Sequence, residues 1–299
     1  MQEAPTVPQE THRLIFIGGV HGRTGTSVVK RLLCTHPEVS AVSGGETRML
    51  EAVEDLWPML IADAGYTPGG ASQAMSVFAR HVRATLGESP AMQAALERLH
   101  EGVGARSVRL IGRARSPMPA PMREKDLSRV LGAFITDAFR LAALDPSRPV
   151  LCEKTPSNAQ YIRRLQLLLP EARVALMVRD PMAVALSHTQ REWGPTDPVE
   201  AAAYTAAYFR CWRGFAPHAQ NCLVVRHEDL VGDPGHTLET VVRFLGLRQD
   251  ATWLGHASAQ IHPSQDRVHA LPGVVATQMR ALLADELNQW GYSLLSGAR

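Results

Sequence analysis

RLIFIGGVHGRTGTSVVKRLL, residues 13–33, decides the reading of this chain. Leu14 to Ile17 form a short apolar run of the kind that makes a parallel strand buried on both faces. A glycine-rich turn follows from Gly18 to Gly25, and then Thr26 and Ser27 head a stretch in which Val28, Val29, Leu32 and Leu33 recur at helical spacing. Strand, small-residue loop, hydroxyls and helix together make a phosphate cup. Glycines admit the ligand close to the backbone, successive N–H groups point inward, and the helix N-terminus adds its positive end. The loop is not a Walker A motif, because Gly25 is followed directly by Thr26 and the cation, Arg23, precedes the glycine.

Outward from this stretch the chain alternates strands and helices. Thr35-His36-Pro37 stops the first helix, and Glu38 to Val42 reads as a second strand closing a βαβ unit. Gly44-Gly45-Glu46-Thr47-Arg48 is expected to begin the next helix. Alternation resumes with strands at Pro149–Cys152, Val174–Val178 and Cys222–Val225. Helices are expected at Ser157–Leu169, Met182–Arg191, about Pro198–Phe215, Pro234–Leu245 and about Thr277–Trp290. This pattern predicts an α/β, P-loop-like three-layer fold, with a central parallel sheet of about five strands and helices on both faces. Residues 1–12 read as a frayed N-terminus and 13–299 as one domain. It would carry a helical insertion at about 49–147, interrupted near Gly65–Gly70 and Ser116–Pro121, that shapes an acceptor pocket or lid.

The 299 residues, 45% of them hydrophobic, suffice for a large core. A formal net charge of +2 does not imply nucleic acid or a membrane surface, but it suits a polyanionic small molecule. Cys34, Cys152, Cys211 and Cys222 show no C-x-x-C pairing and read as reduced core thiols. With no apolar run of spanning length and no leader-like start, the expected location is the cytoplasm. The histidines offer no metal-ligand spacing, so the expected chemistry is metal-independent.

The order of Arg23, Thr24, Gly25, Thr26 and Ser27 resembles the 5′-phosphosulfate loop of sulfotransferases that use 3′-phosphoadenosine 5′-phosphosulfate (PAPS). Arg179 and Ser187, eight apart, resemble the 3′-phosphate motif of the same family. A guanidinium and a hydroxyl can clamp the phosphate that distinguishes PAPS from ATP. A local Arg179–Asp180 ion pair is the alternative reading. The runs F-I-G-G-V, H-P-E-V, G-G-E-T-R, L-C-E-K-T-P and L-M-V-R-D resemble the tyrosylprotein sulfotransferase branch and bacterial sulfotransferases. The insertion is not covered by the resemblance. His21-Gly22 stands where the family usually has one proline, and Thr24 where it has serine.

The resemblance implies PAPS as co-substrate, its desulfated form PAP as product, and a hydroxyl-bearing acceptor: a phenol, sugar, natural-product alcohol or peptide tyrosine. It implies Glu46 as general base, Lys154 neutralising charge on the leaving oxygen, and Arg48 facing the acceptor. A helix-capping role is the rival reading of Glu46. Ser264 weakly resembles a late serine near the cofactor. Nucleic acid and membrane are not expected as partners, and a homodimer is left open. Two alternatives differ in class: a P-loop kinase-like phosphotransferase with Asp180 on magnesium, and a nucleotide-binding module without catalysis. Preference for PAP over ATP would separate the first, and turnover the second.

Overall fold

The computed structural model describes residues 12–62, 66–104, 119–192, 194–212, 221–262 and 268–292. Residues 1–11, expected to be frayed, the first half of the Ser116–Pro121 loop and Ser264 lie outside them. Five strands make one parallel sheet: β1 (Arg13–Gly19), β2 (Val39–Ala41), β3 (Val150–Lys154), β4 (Arg173–Val178) and β5 (Cys222–Arg226), in the order β2-β3-β1-β4-β5. Arg13 pairs with Val150 and Ile15 with Arg173, so β1 lies between β3 and β4. The first two strands are therefore parallel but not neighbours. The Glu38–Val42 segment closes its βαβ unit only with β3 interposed, a long-range pairing with no local signal in the sequence.

Alternation along the strands divides the core by face. Leu14 and Phe16 of β1, Leu151 of β3 and Val174 of β4 point into a cluster built with α2 (Met49–Leu60), α3 (Pro68–Leu86), α4 (Pro90–Gly102), α5 (Glu124–Leu141) and α6 (Ile162–Leu168). Leu176 and Val178 extend that face toward α7 (Pro181–His188), α8 (Pro198–Phe209), α12 (Gly273–Leu282) and α13 (Ala284–Gln289). Ile15, Ile17, Val150 and Cys152 face the other way. There they meet α1 (Thr26–Leu33), α10 (Pro234–Leu245) and α11 (Ala251–Ala259), while the short α9 (His227–Gly232) follows β5. The segment from Met49 onward thus packs into the main core through Val53, Leu56 and Phe134.

Helix starts follow a common local rule. Thr67, Ser89, Asp180, Asp197 and Asp233 each accept a backbone N–H with the side chain, and each precedes a proline in the first turn. The cap satisfies an orphan donor, and proline needs none. α7 ends at His188 and α8 at Phe209, short of the expected Arg191 and Phe215, and three further boundaries differ from expectation. The helix foreseen from Gly44 begins only at Met49, because the Thr47 and Arg48 N–H groups are bonded to the Glu153 carboxylate and the Thr155 hydroxyl. The first part of Ser157–Leu169 is a tighter 3-10 turn at Pro156–Tyr161. The last helix breaks at Leu283 into two.

Cys34, Cys152 and Cys222 are free thiols. Among the described residues no helix is long and apolar enough to cross a membrane. Gly132 on α5 lies where any Cβ would overlap the Leu168 carbonyl oxygen. Backbone cannot yield as a flexible side chain can, so Gly132→Ala should cost about 1–3 kcal/mol. Urea denaturation would register this as a lower midpoint with an unchanged slope.

Candidate active site

At the end of β1 the chain turns so tightly that side chains are excluded. A Cβ on Gly18 would sit 2.8 Å from the Ala159 amide nitrogen. The Thr24 hydroxyl, fully buried, donates to the His21 carbonyl at 2.9 Å and closes the turn. Arg23 (φ 72°) and Gly25 (φ 99°) both adopt the left-handed conformation, which costs an arginine energy and a glycine nothing. α1 then opens at Thr26, so the N–H groups of its first turn lie at the loop.

Positive charge gathers around this loop. The Arg23 Nε donates to the Ser187 hydroxyl at 3.0 Å, and an Arg179 Nη1 donates to the Arg23 carbonyl at 3.3 Å. Burial first, then repulsion from Arg191 and Arg179, holds the Arg23 guanidinium below its ordinary pKa. His227 packs against Gly25 and is pushed down by burial, then by Arg179. Like charges brought together this way oppose folding unless an anion offsets them, so the cluster fits a polyanionic ligand.

The second half of the site stands on β3. Lys154, 7% exposed, donates from Nζ to the Glu46 Oε1 at 2.6 Å. A surface lysine is excluded. Glu153 points to the opposite face of the strand and is buried. Its Oε1 accepts the Thr47 N–H at 3.2 Å, the Thr47 hydroxyl at 2.8 Å and the Thr155 hydroxyl at 2.7 Å, and its Oε2 accepts the Asn158 amide. Arg48 (φ 49°) precedes α2 with its side chain exposed.

The residues singled out from sequence therefore fall into two joined groups at the carboxyl ends of the strands. Arg23, Thr24, Gly25, Thr26, Ser27, Arg179 and Ser187 form one, and Glu46, Arg48 and Lys154 the other. Asp180, required on magnesium by the kinase reading, instead caps α7 by accepting the Met182 N–H at 2.7 Å, and burial raises its pKa.

Sequence reasoning passed over Arg191, His227 and a histidine pair. The His188 Nε2 lies 3.1 Å from the His21 Nδ1, and the His21 ring packs against Tyr208 with centroids 4.2 Å apart. These partners are 167 positions apart, and no local pattern announces them. His21 is held at about 3 by burial and then by His188, and His188 at about 4 by burial, then by Arg23 and Arg191.

A parallel sheet with an arginine-bearing glycine loop and an acid–lysine pair at its carboxyl edge is the layout of an α/β protein that binds its ligand at the carboxyl ends of its strands. The model of the sulfotransferase family matches residues 15–251. The chain belongs to that family of enzymes. It is similar to protein-tyrosine sulfotransferase 1 of Danio rerio, 23% identical over 273 residues covering 84% of this chain and 58% of that protein. It is also similar to protein-tyrosine sulfotransferase 2 of Gallus gallus, 26% identical over 256 residues covering 81% and 53%. The chain thus spans little more than half the length of these two relatives. The solved sulfotransferase domain of the Synechococcus PCC 7002 olefin synthase shares the fold. That match covers 98% of this chain and 99% of that one, with TM-score 0.51 and 16% identity.

The histidine pair makes stability pH-dependent. Both folded-state pKa values lie below the ordinary histidine value of about 6.5, so an unfolded chain takes up protons that the folded one refuses. The stability contributed by the neutral pair is complete above about pH 6.5 and is lost as pH falls toward about 4 and 3. The thermal midpoint should drop between pH 7 and pH 5, and His188→Asn should flatten the drop. An unchanged slope in that variant would show that the pair is not held neutral.

Proposed function

We propose that the chain transfers the sulfuryl group of PAPS to an acceptor hydroxyl, releasing PAP. The observation that carries this reading is the joining of an arginine-bearing phosphate loop to an acid–lysine pair at one sheet edge. Arg23, the loop amides and the hydroxyls of Thr26 and Ser27 are assigned to the 5′-phosphosulfate, and Arg179 with Ser187 to the 3′-phosphate. The Thr24 hydroxyl, expected from sequence to join them, is committed to the His21 carbonyl, so Thr24 contributes its amide and shapes the loop. When bound, PAPS supplies the activated sulfuryl group and a phosphate leaving group.

Lys154 is positioned to neutralise charge growing on the bridging oxygen. Its ammonium has three donors, so it can hold Glu46 and still offer a proton to the leaving group. Glu46 takes the acceptor's hydroxyl proton as that oxygen attacks. Its side chain is 35% exposed, which leaves room for an acceptor to approach. Arg48 is assigned to the acceptor side. Tyr204 and Tyr208 gather around His21 of the loop.

Two measurements test the assignment. Arg179→Ala should weaken PAP binding by about 1.5–3 kcal/mol in calorimetry, with Ser187→Ala losing less. Affinity equal to wild type in Arg179→Ala would remove PAPS from the account. Glu46→Gln should retain PAP binding while turnover drops roughly 10²–10⁴-fold, the scale of a lost acid–base group. Because a phenol is more acidic than an alkyl alcohol, the loss should be smaller with a phenol acceptor. Near-normal turnover with every acceptor would place the base elsewhere.

A further inference from the structure

The loop that presents Glu46 has no steric reason to keep its shape. Gly44 and Gly45 are exposed, and a Cβ on either would meet nothing within 4 Å. Glycines with open space around them are the least self-restrained residues in a chain. The loop is nevertheless held at both ends, and from opposite faces of the sheet.

On one side Lys30, in the last turn of α1, donates from Nζ to the Ser43 carbonyl at 2.9 Å and to the Gly45 carbonyl at 3.0 Å. On the other, Glu153 takes both the N–H and the hydroxyl of Thr47. The Thr47 carbonyl lies 2.7 Å from the His81 Nε2 of α3, and the Met49 N–H returns to the Thr47 hydroxyl at 3.3 Å. Glu153 is 2% exposed, and its four donors are two hydroxyls, one amide side chain and one backbone N–H, all neutral. A buried carboxylate is costly unless its lone pairs are satisfied, and one so fully satisfied is rigid. Residues 45 and 47 are thus both pinned, and residue 46 is the one between them.

We infer that Lys30 and the Glu153–Thr47 pair are positioning residues, a two-point clamp that aims Glu46 at the acceptor and against Lys154. The inference rests on the reading of Glu46 as general base. The clamp also links the two halves of the site, because α1, which carries Lys30, begins at the phosphate loop, and β3 carries both Glu153 and Lys154. None of the three clamp residues is assigned a contact with PAPS or with the acceptor. Their effect reaches the chemistry through the placement of one carboxylate, where a misplacement of about 1 Å can cost on the order of 10²-fold in rate.

The test uses Thr47→Val, which keeps the shape and the N–H but loses the hydroxyl, with Thr47→Ser as the conservative control. Lys30→Met, at a half-buried helix position, releases the other end. Thr47→Val and Lys30→Met should each lower kcat about 10–100-fold with PAP affinity within about twofold of wild type. Both should lose more with an alkyl alcohol than with a phenol, the signature of an impaired base, and Thr47→Ser should recover most of the turnover. Parallel losses of PAP affinity and turnover, or wild-type kcat beside a lowered thermal midpoint, would overturn the clamp. Crystal structures of Thr47→Val and Lys30→Met separate this failure from that of the functional reading. If wild type sulfates no acceptor, the reading falls. If Glu46 still meets Lys154 in both variants, the clamp falls whatever the turnover.

Discussion

Parallel pairing is the constraint on which this structure depends. Each strand is covered by helices, so its interior positions must be apolar, and Phe16, Ile17, Leu176 and Met177 are all buried. Polar chemistry is thereby displaced to the carboxyl ends of the strands, at or just past their last paired positions. Because all five strands run the same way, those residues collect along one edge. Gly19, Lys154, Arg179 and His227 are each the last residue of a strand or the first after one. The site is a consequence of strand direction before it is a consequence of side-chain choice.

Once gathered, these groups do not balance one another evenly. The phosphate-loop half concentrates arginines, and burial followed by their mutual repulsion lowers the pKa of Arg23. The other half pairs its charges internally, Lys154 on Glu46, and satisfies Glu153 with neutral donors. An ion pair with one partner 8% and the other 35% exposed keeps its strength without full desolvation of the acid. The asymmetry matches the division of labour in the proposed reaction, in which one half binds a polyanion and the other handles a proton and a developing charge.

The sequence made local features readable. Loop, strand and cap all lie within a few residues of one another, so Gly18–Ser27, the start of α7 at Pro181 and the end of α10 at Gly246 could be read directly. Arg179 and Ser187 were legible because their eight-residue spacing spans one strand end and two helical turns. What depended on distant partners was hidden. The insertion of β3 between β1 and β2, the late start of α2 and the His21–His188 pair arise from contacts more than a hundred positions apart. Glu153 shows the limit most clearly. Beside Lys154 it reads as one more charged residue, and only the fold reveals that it serves the opposite face.

The open surroundings of Gly44 and Gly45 bear on how such an enzyme could change over evolutionary time. Neither glycine is required by a left-handed backbone or by a close neighbour, and they stand one and two positions before the residue assigned to the proton. A side chain could begin at either position without meeting a neighbour at its Cβ. The scaffold can thus vary what stands beside Glu46 while the strands, the loop and the anchoring contacts remain as they are. New acceptor preferences would then be reachable by single substitutions at a point where the fold exerts no veto.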